Sequence, residues 1–251
     1  MLRRRALILL AAIACVVLAC GFSGAEGKSP LRILFVGNSL TSWNNLPAFV
    51  AAIARKSGDT TLTYRMIAPP AVSLEDHWSI QRTRAALAEE RWDAVVFQQG
   101  PSAEAAGRLH LCTWTQRFAD EARARGAQPY LLGVWSAGRF GIQEVIDSYA
   151  AAAEAADVPL LPAGSAWADA WKRKRAIALH ARDGLHPSRL GAYLAALVVY
   201  GGLRDVSPLG LPSSLVVAKK RFTTTRGNVA ILQAAAQEAL AAGAEAGPCR
   251  I

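Results

Sequence analysis

Acidic residues are few in this chain, histidine and cysteine fewer, and each shortage removes a class of function. The 251 residues include 19 Asp and Glu against 28 Lys and Arg, a formal charge of +9. A nucleic-acid partner would need those cations gathered into a basic stripe with aromatics on a known module. They are instead spread out, apart from Lys172–Arg175 (KRKR) and Lys219–Arg221 (KKR). Both runs read as solvated helix faces or a polar edge, and no nucleic-acid partner is expected. Four cysteines without a Cys-x-x-Cys pair offer no metal site, nor do four histidines (77, 110, 180, 186) without ligand spacing. The expectation is no metal and no cofactor. Internal repeats and long low-complexity linkers are also lacking, which argues for one continuous domain.

What is present begins with a processed N-terminus. Arg3, Arg4 and Arg5 precede an almost wholly apolar stretch from Ala6 to Ala19. This is a basic n-region followed by an h-region of secretory length, too short for a comfortable membrane span. Two exits exist. Ser23–Ala25 fits small-residue cleavage before Glu26, and Val17–Cys20 (VLAC) looks like a lipobox with Cys20 as the lipidated residue. The preferred division is residues 1–25 as signal peptide and 26–251 as a single domain; the alternative is a lipoprotein signal ending before Cys20. An uncleaved anchor is a third outcome. The protein is thus expected to be exported, periplasmic or extracellular, touching a membrane only through a lipid on Cys20. Loss of the three arginines lowers the charge from +9 to +6. Cys112 and Cys249 remain, and can pair in an oxidising compartment, though spacing does not place them together.

About 225 residues, roughly one full α/β domain, then alternate short β-rich runs with Ala-rich amphipathic stretches. The strands expected are Arg32–Val36, Thr61–Ile67, Ala94–Phe97, Pro129–Val134 and a weak Pro159–Leu161. The helices expected are Leu46–Ser57, Leu74–Glu90, Ala103–Gly126, Ile142–Ala156, Ser165–Arg175, Ser188–Tyr200 and Gly227–Ala242. Continuous apolar strands alternating with helices indicate a parallel sheet of about five strands covered on both faces. Sites in such folds lie beyond the carboxyl ends of the strands. Ser39, Ala71 and Gln98 fall at or just past three of those ends.

Two segments carry chemistry. In RILFVGNSLT (Arg32–Thr41) an apolar run ends in Gly-Asn-Ser, so Ser39 can stand exposed at the end of a buried strand, with Gly37 allowing the turn. Alone this is a common turn composition, and Thr41 rules out the G-x-S-x-G elbow. In DGLHPS (Asp183–Ser188) the histidine is a candidate base. A serine hydroxyl is a poor nucleophile near neutral pH and needs such a base within hydrogen-bond reach. Asp183 precedes His186 by three residues, with Gly184 letting the loop fold back, so one short loop can supply a base and the acceptor that orients it. Pro187 stiffens the exit and Ser188 is a candidate helix cap.

Together these blocks resemble the SGNH (GDSL-like) hydrolase superfamily. The nucleophile block of that superfamily corresponds to Gly37-Asn38-Ser39-Leu40, and its late Asp-x-x-His block to Asp183 and His186. Segments VGNSLT, SLEDHW, WDAVVFQQGPS and DGLHPSRLGAYLAA are similar to a bacterial branch, and the likeness spans roughly Leu31–Leu203. It implies a flavodoxin-like three-layer α/β/α sandwich and metal-free acyl hydrolysis. It also implies roles: Ser39 as nucleophile, His186 as general base and acid, Asp183 as orienter. The oxyanion hole implied combines the Ser39 N–H with donors from the two middle blocks. There the sequence departs from the pattern. Ala71 stands where a glycine is usual, and alanine resists positive φ. Gln98, or Gln99 with the register moved by one, stands where an asparagine is usual, with the same amide on a longer arm.

Other residues have two readings. His77, beside Trp78, either lines the substrate pocket or closes the helix start. Asn38 either joins that pocket or braces the Ser39 turn. Trp43, Trp135 and Trp167 form either a sugar-stacking wall or buried packing. The functional expectation is a secreted serine esterase acting through an acyl-enzyme on a small-molecule or polysaccharide ester, with acetyl on carbohydrate preferred by family analogy. A lipid esterase or lysophospholipase is the enzymatic alternative, weakened by the lack of a long apolar insertion between blocks. A non-catalytic carbohydrate-binding envelope protein on the same fold is the other.

Overall fold

The computed structural model describes residues 28–89, 91–137, 141–242 and 249. The proposed signal segment and lipobox lie outside the described residues. Strand β1 (Leu31–Val36) is the centre of the design: its last four residues are buried, as a strand covered on both faces requires. It pairs in parallel with β2 (Leu62–Ile67) on one side and β3 (Ala94–Phe97) on the other, and β4 (Gln128–Gly133) and β5 (Leu160–Pro162) continue the sheet. The order 2-1-3-4-5 puts the topological switch between β1 and β3, and a crevice opens there beyond the carboxyl ends. The α/β class and the five-stranded parallel sheet expected from the pattern are both present.

Helices cover the two faces. On one, α2 (Leu46–Lys56), α7 (Ala163–Arg173), α8 (Arg189–Arg204) and α9 (Arg226–Ala241) pack together; on the other, α5 (Ala105–Ala124) packs on α6 (Ile142–Ala155). The centre of α8 is buried continuously from Gly191 to Gly201. Its Gly191 lies against the Leu179 carbonyl and the Trp167 ring, where a Cβ would collide with both.

Three local features differ from the sequence expectation. The helix expected over Leu74–Glu90 is two, α3 (Leu74–Ser79) and α4 (Gln81–Glu89), separated at an extended Ile80. The break lets the Thr83 hydroxyl turn back onto His77. A four-residue helix α1 (Ser39–Ser42) follows β1. A hairpin of β6 (Leu215–Val217) and β7 (Lys220–Phe222) carries the KKR run at its turn, where Ala218 and Lys219 have positive φ.

Candidate active site

The chain leaves β1 through Gly37 and Asn38 and enters α1 at Ser39. Asn38 is the N-cap, its Oδ1 accepting the Leu40 N–H at 3.1 Å. The Trp43 N–H closes the single turn on the Ser39 carbonyl at 2.8 Å. Gly37 is required for space: a Cβ there would fall onto Gln98 Oε1 and lie 2.9 Å from Thr41 Oγ1. Its φ is not among the positive ones, so close approach, rather than a left-handed turn, selects glycine.

The Asp183–His186 loop stands opposite. It is pinned at its base by the Ala181 N–H to the His186 carbonyl (2.8 Å) and the Ser188 N–H to the Leu179 carbonyl (2.7 Å). Gly184 turns it with φ +68. Asp183 Oδ1 accepts the backbone N–H groups of Leu185 and His186, each at 2.9 Å, and Oδ2 accepts His186 Nδ1–H at 2.8 Å. The Leu185 N–H bond, then the His186 ring and its N–H, hold the Asp183 carboxyl down to about 2. An ionised Asp183 only accepts, so the proton of neutral His186 sits on Nδ1 and Nε2 is left as the basic nitrogen. From outside, Trp135 Nε1 donates to the Leu185 carbonyl (3.0 Å) and Asn44 Nδ2 to the Pro187 carbonyl (2.7 Å). The second bond ties the segment after α1 directly to the histidine loop.

These two segments share one cleft of about 650 Å³, which Ser39 and His186 both line. Asn38 and Ala71 line it as well. Ala71 holds φ +58, the conformation that favours glycine. Neither the Ser39 nor the Ala71 backbone N–H has an acceptor among the described residues. The wall is otherwise largely apolar: Leu40, Trp43, Pro70, Pro101 and Leu185. An open serine hydroxyl, an imidazole with an ionised orienter and two free N–H groups can together take a proton and receive a developing oxyanion.

Two of the expected site residues lie elsewhere. Gln98, expected as an oxyanion donor, is buried beneath the turn. Its Nε2 donates to Asn38 Oδ1 (2.9 Å) and the Gln99 carbonyl (2.5 Å), so both amide hydrogens are committed and neither faces the cleft. Gln99 is no substitute: Oε1 accepts the Leu74 N–H and Nε2 donates to Ser102 Oγ. His77, proposed for the pocket, is fully buried. Nε2 donates to the Gly37 carbonyl at 2.7 Å, so Nδ1 accepts from Thr83 Oγ1 at 2.8 Å, and burial depresses its pKa. It supports the Ser39 turn from behind. Trp135 and Trp167 are also buried, stacked at 4.0 Å between centroids, whereas Trp43 is 54% exposed at the cleft edge.

No protein-family model matches the chain, and no curated protein matches it. Solved structures do. A protein described as a candidate SGNH hydrolase from Slackia heliotrinireducens is 29% identical, with a TM-score of 0.60, over 70% of this chain and all of that one. A DUF4886 family protein from Bacteroides uniformis aligns over 87% of this chain and 98% of its own, at 18% identity and TM-score 0.65. A catalytic mutant of an acetylxylan esterase from Geobacillus stearothermophilus aligns over 70% and 94%, at 12% identity and TM-score 0.55. The chain has the SGNH hydrolase fold.

On that fold, the residues that sequence reasoning underused are Trp43 and Asn44. The i, i+4 spacing of Ser39 and Trp43 was the available signal, since one helical turn puts both on one face. Nothing in the sequence singled out Pro70, Pro101 or Leu185, whose contribution is an apolar wall.

Proposed function

We propose that this protein is a serine esterase in which Ser39 is the nucleophile, His186 the base and Asp183 the orienter. The observation that carries the reading is the 2.8 Å bond from His186 Nδ1 to Asp183 Oδ2 at the edge of a cleft that also holds Ser39. His186 Nε2 takes the Ser39 proton as Oγ attacks the ester carbonyl. The Ser39 and Ala71 N–H groups receive the oxyanion. His186 then gives the proton to the leaving alcohol, and water repeats the cycle on the acyl-enzyme. Acetyl on carbohydrate is the preferred substrate, supported by the fold shared with an acetylxylan esterase and by the exposed Trp43 ring at the cleft edge. Export, by cleavage after residue 25 or as a lipoprotein, is part of the same proposal.

One observation favours a second reading. The wall of Leu40, Pro70, Pro101 and Leu185 suits a longer acyl chain, as in a lipid esterase. Hydrolysis of p-nitrophenyl acetate by the parent and Ser39→Ala tests the reaction class, and equal rates would end the proposal. A panel of acetylated glycans against esters of increasing acyl length then separates the two substrates.

A further inference from the structure

The indole of Trp43 and the imidazole of His186 are stacked, with centroids 4.2 Å apart and ring planes 17° from parallel. Trp43 remains 54% exposed while lining the same cleft as His186. One backbone bond and one side-chain bond hold this segment from two sides. Its N–H bonds to the Ser39 carbonyl, and the next residue, Asn44, bonds to the Pro187 carbonyl. One helical turn therefore carries both Ser39 and the ring against which His186 leans.

A single bond at Nδ1 leaves an imidazole free to tilt about that contact, and tilting swings Nε2 away from its target. Packing one ring face against Trp43 removes that freedom. The same face is the negative pole of an aromatic quadrupole, so it attracts His186 more strongly once the ring is protonated. We propose that Trp43 is a positioning residue for His186, fixing its ring plane and stabilising the imidazolium formed when Ser39 Oγ passes its proton to Nε2. The inference rests on the reading of Ser39 and His186 as nucleophile and base.

The charges around His186 are few enough to make this measurable. Asp183 bonds Nδ1 on the histidine's own loop. His180, bonded to the Ser136 carbonyl, lies beyond Asp183, whose charge it feels. Arg182 is exposed on the same loop. On α8, Arg189 is held over the Phe49 and Phe222 rings. The α1–α2 segment from Ser39 to Ala54 contains no titratable side chain, and neither do 70–72 or 98–101.

The test is the pH profile of p-nitrophenyl acetate hydrolysis from pH 5 to 9 for the parent, Trp43→Leu and Trp43→Phe. Loss of the aromatic face destabilises the imidazolium, so the acid limb of kcat/KM for Trp43→Leu moves down by roughly 0.5–1 pH unit. Its kcat falls about tenfold with KM within about threefold, the pattern of lost transition-state alignment. Trp43→Phe restores the acid limb and most of kcat. A parental profile in Trp43→Leu overturns the inference, as does a rise in KM alone, which would make Trp43 a substrate contact only. Equal losses in both variants with a lowered melting temperature would make it a structural residue and overturn it too. Activity surviving in Ser39→Ala or His186→Ala would instead remove the underlying reading.

Discussion

The Gln98 side-chain oxygen accepts the Asn38 backbone N–H at 3.0 Å. The same oxygen takes the Thr41 hydroxyl at 2.8 Å, so one buried amide holds the residues on both sides of Ser39. Gly37 leaves the room it needs. Gln98 therefore shapes the Ser39 turn from beneath and does not line the cleft.

Gln98→Leu tests that role. It removes the acceptor for two donors, and each buried unpaired donor costs about 1–3 kcal/mol. The expected result is a loss of about 2–6 kcal/mol in urea unfolding, accompanied by a fall in kcat as the turn loosens. A residue that acted only as an oxyanion donor would lower kcat and leave the unfolding midpoint in place.

Ala71 carries strain that a glycine would relieve. A left-handed alanine costs about 1–2 kcal/mol, offset partly by the greater freedom of glycine in the unfolded chain, about 0.4–1 kcal/mol. Ala71→Gly is expected to leave stability unchanged or raise it by up to about 1 kcal/mol, with esterase activity retained. Ala71→Val, β-branched at φ +58, is expected to destabilise and to displace the N–H proposed for the oxyanion. Thermal melts and kcat for the pair check both halves; a stabilised valine variant would contradict the assignment of strain.

The contrast between these residues shows what sequence could and could not say. The position of Ser39 was legible because an apolar run must end where the strand leaves the core. The Asp183–His186 contact was legible because three residues and a glycine suffice to close it, with no distant partner involved. The direction of the Gln98 and His77 side chains was not legible. Each bonds groups on β1's exit turn, 60 and 40 residues away in sequence, and only tertiary packing decides which way such a side chain points. Helix α1 and the β6–β7 hairpin are too short to register as periodicity. The break at Ile80 falls inside a stretch whose pattern is helical on both sides.

Acid should weaken the fold through two histidines. Burial depresses the folded-state pKa of His77, and also that of His180. Below about 6.5 the unfolded chain binds protons that these two rings in the folded chain refuse, so stability falls as pH drops through that value toward their folded-state pKa values. Above it, both forms are neutral and the effect vanishes. Melting temperature is expected to decline between pH 7 and pH 5. His77→Gln should flatten that decline, leaving the part due to His180, whatever it does to stability at pH 7. An unchanged slope in this variant would mean that His77 titrates alike in both states.

Cys112 on α5 and Cys249 form a disulfide, with Cα atoms 6.2 Å apart and a sequence separation of 137. A cross-link closing so long a loop restricts the unfolded chain more than the folded one, and native bridges of this kind contribute about 2–5 kcal/mol. Cys112→Ser is expected to lower stability by about that amount. Adding reductant should lower the parent's melting temperature toward that of the variant and leave the variant unchanged. Mass spectrometry after alkylation adds a link to location. Protein recovered from an oxidising compartment should take up label at these two positions only after reduction, whereas protein made in a reducing cytosol should take it up directly on unfolding. A parent indifferent to reductant would show that the bridge adds nothing to the fold, and direct labelling of exported protein would show that it does not form.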